Sequence, residues 1–164
     1  MYRVSFTGHR PQSLPYFGED DPAFLDMMSR LSAEIDRLIA VGAEEFYTGM
    51  ARGVDTWAAE LILDKKKSSP ALRLIAVLPC PDQCKGWSRA DISRYDSILA
   101  QCDKVMTISP KYTDDCMLKR DRALVELCDV LVAVYSGSAG GGTAYTVRYA
   151  QKNKRHVSII KPLM

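Results

Sequence analysis

"FYTGMARGVDTWAAELIL", residues 46–63, opens on aromatic and β-branched residues, breaks at Gly49 and Gly53, and continues with helical spacing. Glycine loses the most backbone freedom on folding, so two so close together mark a chain that turns tightly or is approached closely. The stretch reads as strand, glycine loop, helix. Val54, Ala58, Leu61 and Ile62 fall on one stripe of a helix running from about Val54 to Lys67, with Asp55 at its mouth.

The same alternation extends in both directions. Apolar runs at 3–8, 45–49, 72–79, 104–109, 130–137 and 156–160 read as six strands. Several are apolar almost throughout, as strands of a parallel sheet covered on both faces are. Between them, Phe24, Met27, Met28, Leu31, Ile35, Leu38 and Ile39 share a helix face, with Asp21 as N-cap, Pro22 at the first position and Gly42 as a stop. Ser88 and Asp91 have capping-box spacing ahead of Ile92, Tyr95, Ile98 and Leu99, and further helices are expected over 114–128 and 143–153. Strands alternating with helices imply right-handed crossovers. The predicted fold is α/β: a Rossmann-like, doubly wound, mostly parallel sheet of about six strands with helices on both faces, one domain over residues 1–164.

Composition narrows the function classes. With 164 residues, 47% hydrophobic and 26% charged, the chain has the profile of one ordinary globular domain. Five cysteines, an odd count without paired CxxC spacing and with no apolar leader at Met1-Tyr2-Arg3, lead us to expect reduced thiols in the cytoplasm. "CPDQC", residues 80–84, would need a depressed pKa to act as a redox pair. No run approaches the ~20 apolar residues of a membrane span. A net charge of +2 gives no footprint for nucleic acid, and Lys65, Lys66 and Lys67 read as the solvated end of a helix.

Chemistry is expected at the carboxyl ends of the strands, near the point where strand order reverses. Three glycine segments fall there: "TGHR" (7–10), "TGMARGVD" (48–55) and "SGSAGGGT" (136–143). A helix N-terminus carries unpaired N–H groups and about half a positive charge, so a loop that leads into it without an obstructing Cβ is a ready anion site. The alternative at each segment is a tight strand-to-helix turn. Arg10 and Arg52 add donors suited to phosphate oxygens. Asp55 would repel phosphate; it caps its helix, orders the glycine loop, or accepts from ribose hydroxyls or a base. His9 is a ligand-contacting or acid–base group, or a turn histidine satisfied by backbone. Arg120 is a ligand clamp or a surface ion-pair partner, with Asp121 and Arg122 turned elsewhere around the helix. Trp87 and Tyr95 either face a base or cover core surface. There is no GxGxxG after a strand, and "GSAGGGT" has Thr143 where a P-loop needs lysine, which argues against an ATPase. His9 and His156, the two histidines, are far apart and belong to no metal-ligand spacing.

"TGHRP", "GMARGVDTWAAE", "WSRADISRYDSILAQCDKV", "YTDDCMLKRDRALVELCDVLVAVY" and "GGGTAYTVRYA" together resemble, in order and over nearly the whole chain, the YpsA-type branch of the SLOG superfamily. That resemblance implies a Rossmann-like fold that binds nucleotides or nucleotide-derived ligands, with roles in bacterial cell division or stress responses. "TGMARGVDTWA" is also similar to the segment of DprA, which loads single-stranded DNA. Here, however, Ala58-Ala59 stands where that family ends its segment Ala-His, and interleaved aromatic and basic residues for a single-strand channel are missing. The LOG phosphoribohydrolases carry PGGxGTxxE; this chain keeps Gly142-Thr143 but has Thr146 in place of the glutamate. Glycosidic cleavage needs a carboxylate, so LOG-type hydrolysis would require Asp55 or another acid to substitute.

The expectation is therefore a cytoplasmic, non-catalytic protein that binds a small nucleotide-derived ligand such as a nucleoside phosphate, ADP-ribose or an NAD-like molecule. Its site would be formed by Gly8, His9, Arg10, Gly49, Met50, Arg52, Gly53, Asp55, Arg120, Gly140, Gly141, Gly142 and Thr143. No cofactor or metal is expected, nor a nucleic acid or a membrane; a protein partner and self-association stay open.

Overall fold

The computed structural model describes residues 2–138 and 140–162, so position 139 of the third glycine segment lies outside the described residues. Six strands, β1 (Tyr2–Gly8), β2 (Ala43–Thr48), β3 (Arg73–Leu78), β4 (Lys104–Thr107), β5 (Val130–Val134) and β6 (His156–Ile160), alternate with five helices. These are α1 (Pro22–Ala40), α2 (Val54–Lys66), α3 (Arg89–Gln101), α4 (Cys116–Leu127) and α5 (Gly142–Lys152). Every strand pairing is parallel, in the order β4-β3-β2-β1-β5-β6. The chain thus steps outward from β1 to β4, crosses back to β5 beside β1, and steps outward the other way. Loops after β1 and β5 diverge at that reversal and leave a crevice above the strand ends.

Alternation along the strands builds the two layers. Val4 and Phe6 of β1 and Phe46 of β2 are fully buried in the larger cluster with Met27, Leu31, Ile35 and Leu38 of α1, Ile62 of α2 and Ile98 of α3. Phe6 and Phe46 stack with centroids 6.1 Å apart. The intervening Ser5 points to the other face, where its hydroxyl donates to the Leu124 carbonyl of α4 at 2.6 Å. On that side Leu131 and Ala133 pack with Val125, Val147 and Ala150, and Ile75 and Val77 pack with Leu124.

Asp21 caps α1 through its side chain, which accepts from Ala23 N at 2.9 Å, with Pro22 at the first position. Ser88 caps α3, accepting from Asp91 N at 3.1 Å. Element ends differ from the sequence pattern by a few residues. β2 begins at Ala43, where it meets Tyr2, and β5 ends at Val134, the register partner of Gly8, the last residue of β1. α4 starts at Cys116 and not at 114, with Asp115 as its N-cap residue. Cys80, Cys84, Cys102, Cys116 and Cys128 are all free. Burial pushes the Cys80 thiol up to about 11, the opposite of what the first cysteine of a reactive CPDQC pair requires. Among the described residues no helix is long and apolar enough to cross a membrane.

Candidate functional site

Two hollows open beside the loops at the carboxyl ends of the strands. The larger, about 670 Å³, lies at the β1/β5 reversal and is polar. Gly8, His9 and Arg10 from the β1 loop, Asp55 at the start of α2, Arg120 of α4, and Gly140, Gly141, Gly142 and Thr143 at the start of α5 all border it. Three glycine segments separated by most of the chain are thus brought to one place, but they do not all contribute equally. Arg52 and Gly53 border the smaller hollow, about 350 Å³, on the far side of the loop. Gly49 and Met50 lie beneath the surface.

The interior position of Gly49 and Met50 corrects the expectation for these two residues, and its cause is local. The Thr48 hydroxyl accepts from Met50 N at 3.2 Å and donates to the Asp55 carbonyl at 2.8 Å, folding the loop back on the strand end. Met50 takes a left-handed φ of 59°, which turns its side chain into the core, where it is fully buried. The Gly49 carbonyl becomes the acceptor for two buried donors, Arg120 Nη1 at 2.6 Å and Gln83 Nε2 at 3.2 Å. A Cβ at Gly49 would stand 2.8 Å from Arg120 Nη1 and 2.9 Å from Asp55 Oδ2. A larger residue there would force the Arg120 and Asp55 side chains to shift.

Arg120 is buried, at 4% exposure, and so is no surface ion-pair partner. Besides Gly49 it binds Gln83 Oε1 at 3.2 Å and, through Nε, Asp121 Oδ1 at 2.8 Å. Asp121 therefore shares the inward face of α4 and borders the polar pocket, contrary to the expectation that it turns away. The helical geometry explains this: Met117, Arg120, Asp121 and Leu124 follow i, i+3, i+4, i+7 spacing, and an inward face at least 100° wide takes both neighbours. Asp121 and Gln83 are the residues sequence reasoning missed. That spacing was the available signal for Asp121; for Gln83, in an irregular loop, there was none.

Asp55 is nearly as buried as Arg120 and does not cap α2 through its side chain. Its Oδ2 instead accepts from Ala51 N at 3.2 Å, closing the loop from within. Burial pushes its carboxyl up to about 6, with the Arg120 guanidinium opposing and the Asp121 carboxylate adding to the rise. Asp121 is raised by burial as well, with Arg120 again opposing. The pocket thus has two neighbouring carboxyl groups beside one buried arginine, both held above the usual carboxylate range by burial.

His9 is fixed by the backbone. The Ser136 N–H donates to its Nε2 at 3.1 Å, so that nitrogen is unprotonated, and burial lowers the ring's pKa. A neutral imidazole here ties the β1 loop to the β5 loop across the reversal. The cationic side of the pocket comes from elsewhere. Arg10 is exposed, with its charge felt at both Asp55 and Asp121. α5 starts at Gly142 behind Gly141, whose φ of 98° brings the chain in with no side chain capping the helix, leaving its first N–H groups at the pocket wall.

The profile of the YspA SLOG family matches residues 4–162. The chain belongs to that family. Among its relatives is a UPF0398 protein of Bacillus pumilus (strain SAFR-032), 29% identical over 153 residues, covering 92% of this chain and 82% of the relative. A UPF0398 protein of Bacillus thuringiensis (strain Al Hakam) is 29% identical over 154 residues, covering 93% of this chain and 84% of its own. Membership agrees with the resemblance read from the motifs, and these relatives' names carry no activity that could be transferred.

Proposed function

We propose that the polar pocket binds a small nucleotide-derived ligand, with a phosphate against the N-terminus of α5 and ribose hydroxyls donating to Asp55 and Asp121, and that the chain acts as a cytoplasmic sensor or adaptor that leaves the ligand intact. The observation that carries this reading is the pairing of opposite chemistries across one hollow. An uncapped helix start and Arg10 suit an anion, while two carboxyl groups, buried Asp55 and half-buried Asp121, suit hydroxyl donors. A phosphorylated sugar offers both. Family membership supports the reading, and a role in bacterial cell division or a stress response follows from the resemblance alone.

Thermal unfolding against AMP, CMP, ADP-ribose, NAD and cyclic dinucleotides, with each mixture analysed chromatographically, tests it. A ligand at 100 times its dissociation constant stabilises the fold by about 2.7 kcal/mol. A clear rise with an intact nucleotide is the expected outcome; no rise with any of them would contradict the proposal.

One observation favours a second reading, LOG-like cleavage. Thr146, which replaces the family glutamate of the phosphoribohydrolases, is buried with its hydroxyl donating to the Gly142 carbonyl at 2.8 Å. The carboxyl of Asp121 lies close enough for the Thr146 hydroxyl to influence its pKa and so supplies an acid near that position. If Asp121 does the work of that glutamate, free base and ribose phosphate accumulate in the chromatograms, and Asp121→Asn abolishes their release.

A further inference from the structure

The smaller hollow plays no part in the phosphate reading, and its walls are of another kind. Trp57 of α2 and Trp87 of the loop before α3 both border it, and they are the two tryptophans of the chain. Phe24 meets Trp57 edge-on at 4.8 Å, and Tyr16 meets Phe24 at 5.9 Å, so one side is backed by a continuous aromatic cluster whose Phe24 and Trp57 are largely buried. Trp87 is held by an edge contact with buried Tyr95 at 5.5 Å. The outer wall is tied down: Arg94 of α3 reaches Glu19 at 2.6 Å and Glu60 of α2 at 2.9 Å, fixing the loop that carries Tyr16.

Arg52 completes the hollow. Its guanidinium lies over the Trp87 ring, 5.3 Å from the centroid, with Asp91 at 4.0 Å. It therefore covers that face of Trp87 and offers its own planar guanidinium to the hollow, while Arg94 beside it is saturated by carboxylates. A planar guanidinium backed by an indole is the chemistry that stacks on and hydrogen-bonds a flat ring bearing acceptor atoms. A volume of about 350 Å³ is within the range of small-molecule sites.

The hollow adjoins the polar pocket. Gln12 borders both, and the wall between them is the β1 loop seated on Gly53, where a Cβ would stand 2.7 Å from the His9 carbonyl and 2.9 Å from Pro11. We infer that the aromatic hollow receives the heterocyclic ring of the ligand whose phosphate occupies the polar pocket, with the Arg52 guanidinium, backed by Trp87, as the platform that stacks on the ring and reads its acceptors. This rests on the phosphate reading for the second half of the ligand only.

Because both tryptophans border the hollow, intrinsic fluorescence reports ring occupancy directly. The full chain is titrated with AMP, GMP, CMP, UMP, ADP-ribose, the parent nucleosides and ribose 5-phosphate, following tryptophan emission and binding heat together. At least one nucleotide is expected to change the emission saturably, whereas ribose 5-phosphate binds with heat and leaves the emission flat. Trp87→Leu, at a half-buried position, weakens that nucleotide roughly 10- to 100-fold and leaves ribose 5-phosphate unchanged. Arg52→Ala, in the loop, weakens it in the same direction and covers the case in which the tryptophan variant folds poorly. Nucleotides that bind no tighter than ribose 5-phosphate, with flat emission and no effect of either variant, overturn the ring pocket and leave the phosphate reading standing. A saturable response to a nucleoside with none to ribose 5-phosphate does the reverse. Silence to all of them removes both.

Discussion

Asp55 holds its proton more tightly in the folded chain, at about 6, than its ordinary value of 3.8. The sign follows directly. Stability from this group is complete below pH ~4 and is lost as pH rises through 6, a loss on the order of 3 kcal/mol. Asp55→Asn keeps an acceptor for Ala51 N–H and loses the charge. It should flatten the fall in stability between pH ~4 and ~6, measured by denaturant unfolding at a series of pH values, while weakening binding of a ribose-bearing ligand. A variant with the wild-type slope would mean that Asp55 is ionised throughout. Arg120→Ala is the harsher change, since it leaves the Asp121 carboxylate and the buried Gly49 carbonyl without their shared partner and removes the cation that opposes the rise at Asp55; about 3–5 kcal/mol should be lost at neutral pH. At this scale the sequence was least legible. Asp55 stood out because it opens a helix, and the expectation that it orders the glycine loop holds through the bond it accepts from Ala51 N, whereas adjacency to Arg120 suggested the wrong direction for Asp121. What spacing within one segment cannot encode is the contact between distant segments, as where Gln83 and Arg120 meet at the Gly49 carbonyl.

The elements were easier to read, because their signals are local. Asp21-Pro22 marks the start of α1, and the cap geometry bears it out; Asp21→Ala should cost about 1 kcal/mol, read as a shift in the denaturation midpoint with unchanged slope. The glycine loops were legible as loops and misread in part as a single surface. Gly53 precedes α2 with a φ of 94°, and the β1 loop rests on it. Gly53→Ala would strain the backbone and lift that loop, so it should disturb the walls of both hollows at once. The expected result is a lower melting temperature together with loss of ligand response; wild-type ligand response would show that the β1 loop does not define the site.

At the scale of the whole molecule, six apolar runs alternating with helical stripes left few topologies, and the parallel doubly wound sheet follows from short connections and right-handed crossovers. What the pattern did not contain was strand order. The return to β5 beside β1 places the first and third glycine segments across one crevice and sends the Arg52 side of the second to the other hollow. Anion binding at that crevice is the central claim, and Arg10 tests it most directly, being exposed and therefore dispensable for the core. Calorimetric titration of ribose 5-phosphate into wild type and Arg10→Ala, with melting temperatures recorded alongside, is the decisive measurement. The account predicts saturable binding to wild type, at least tenfold weaker in the variant, at an unchanged melting temperature without ligand. Equal affinity in the two proteins, or no binding to either, would contradict it.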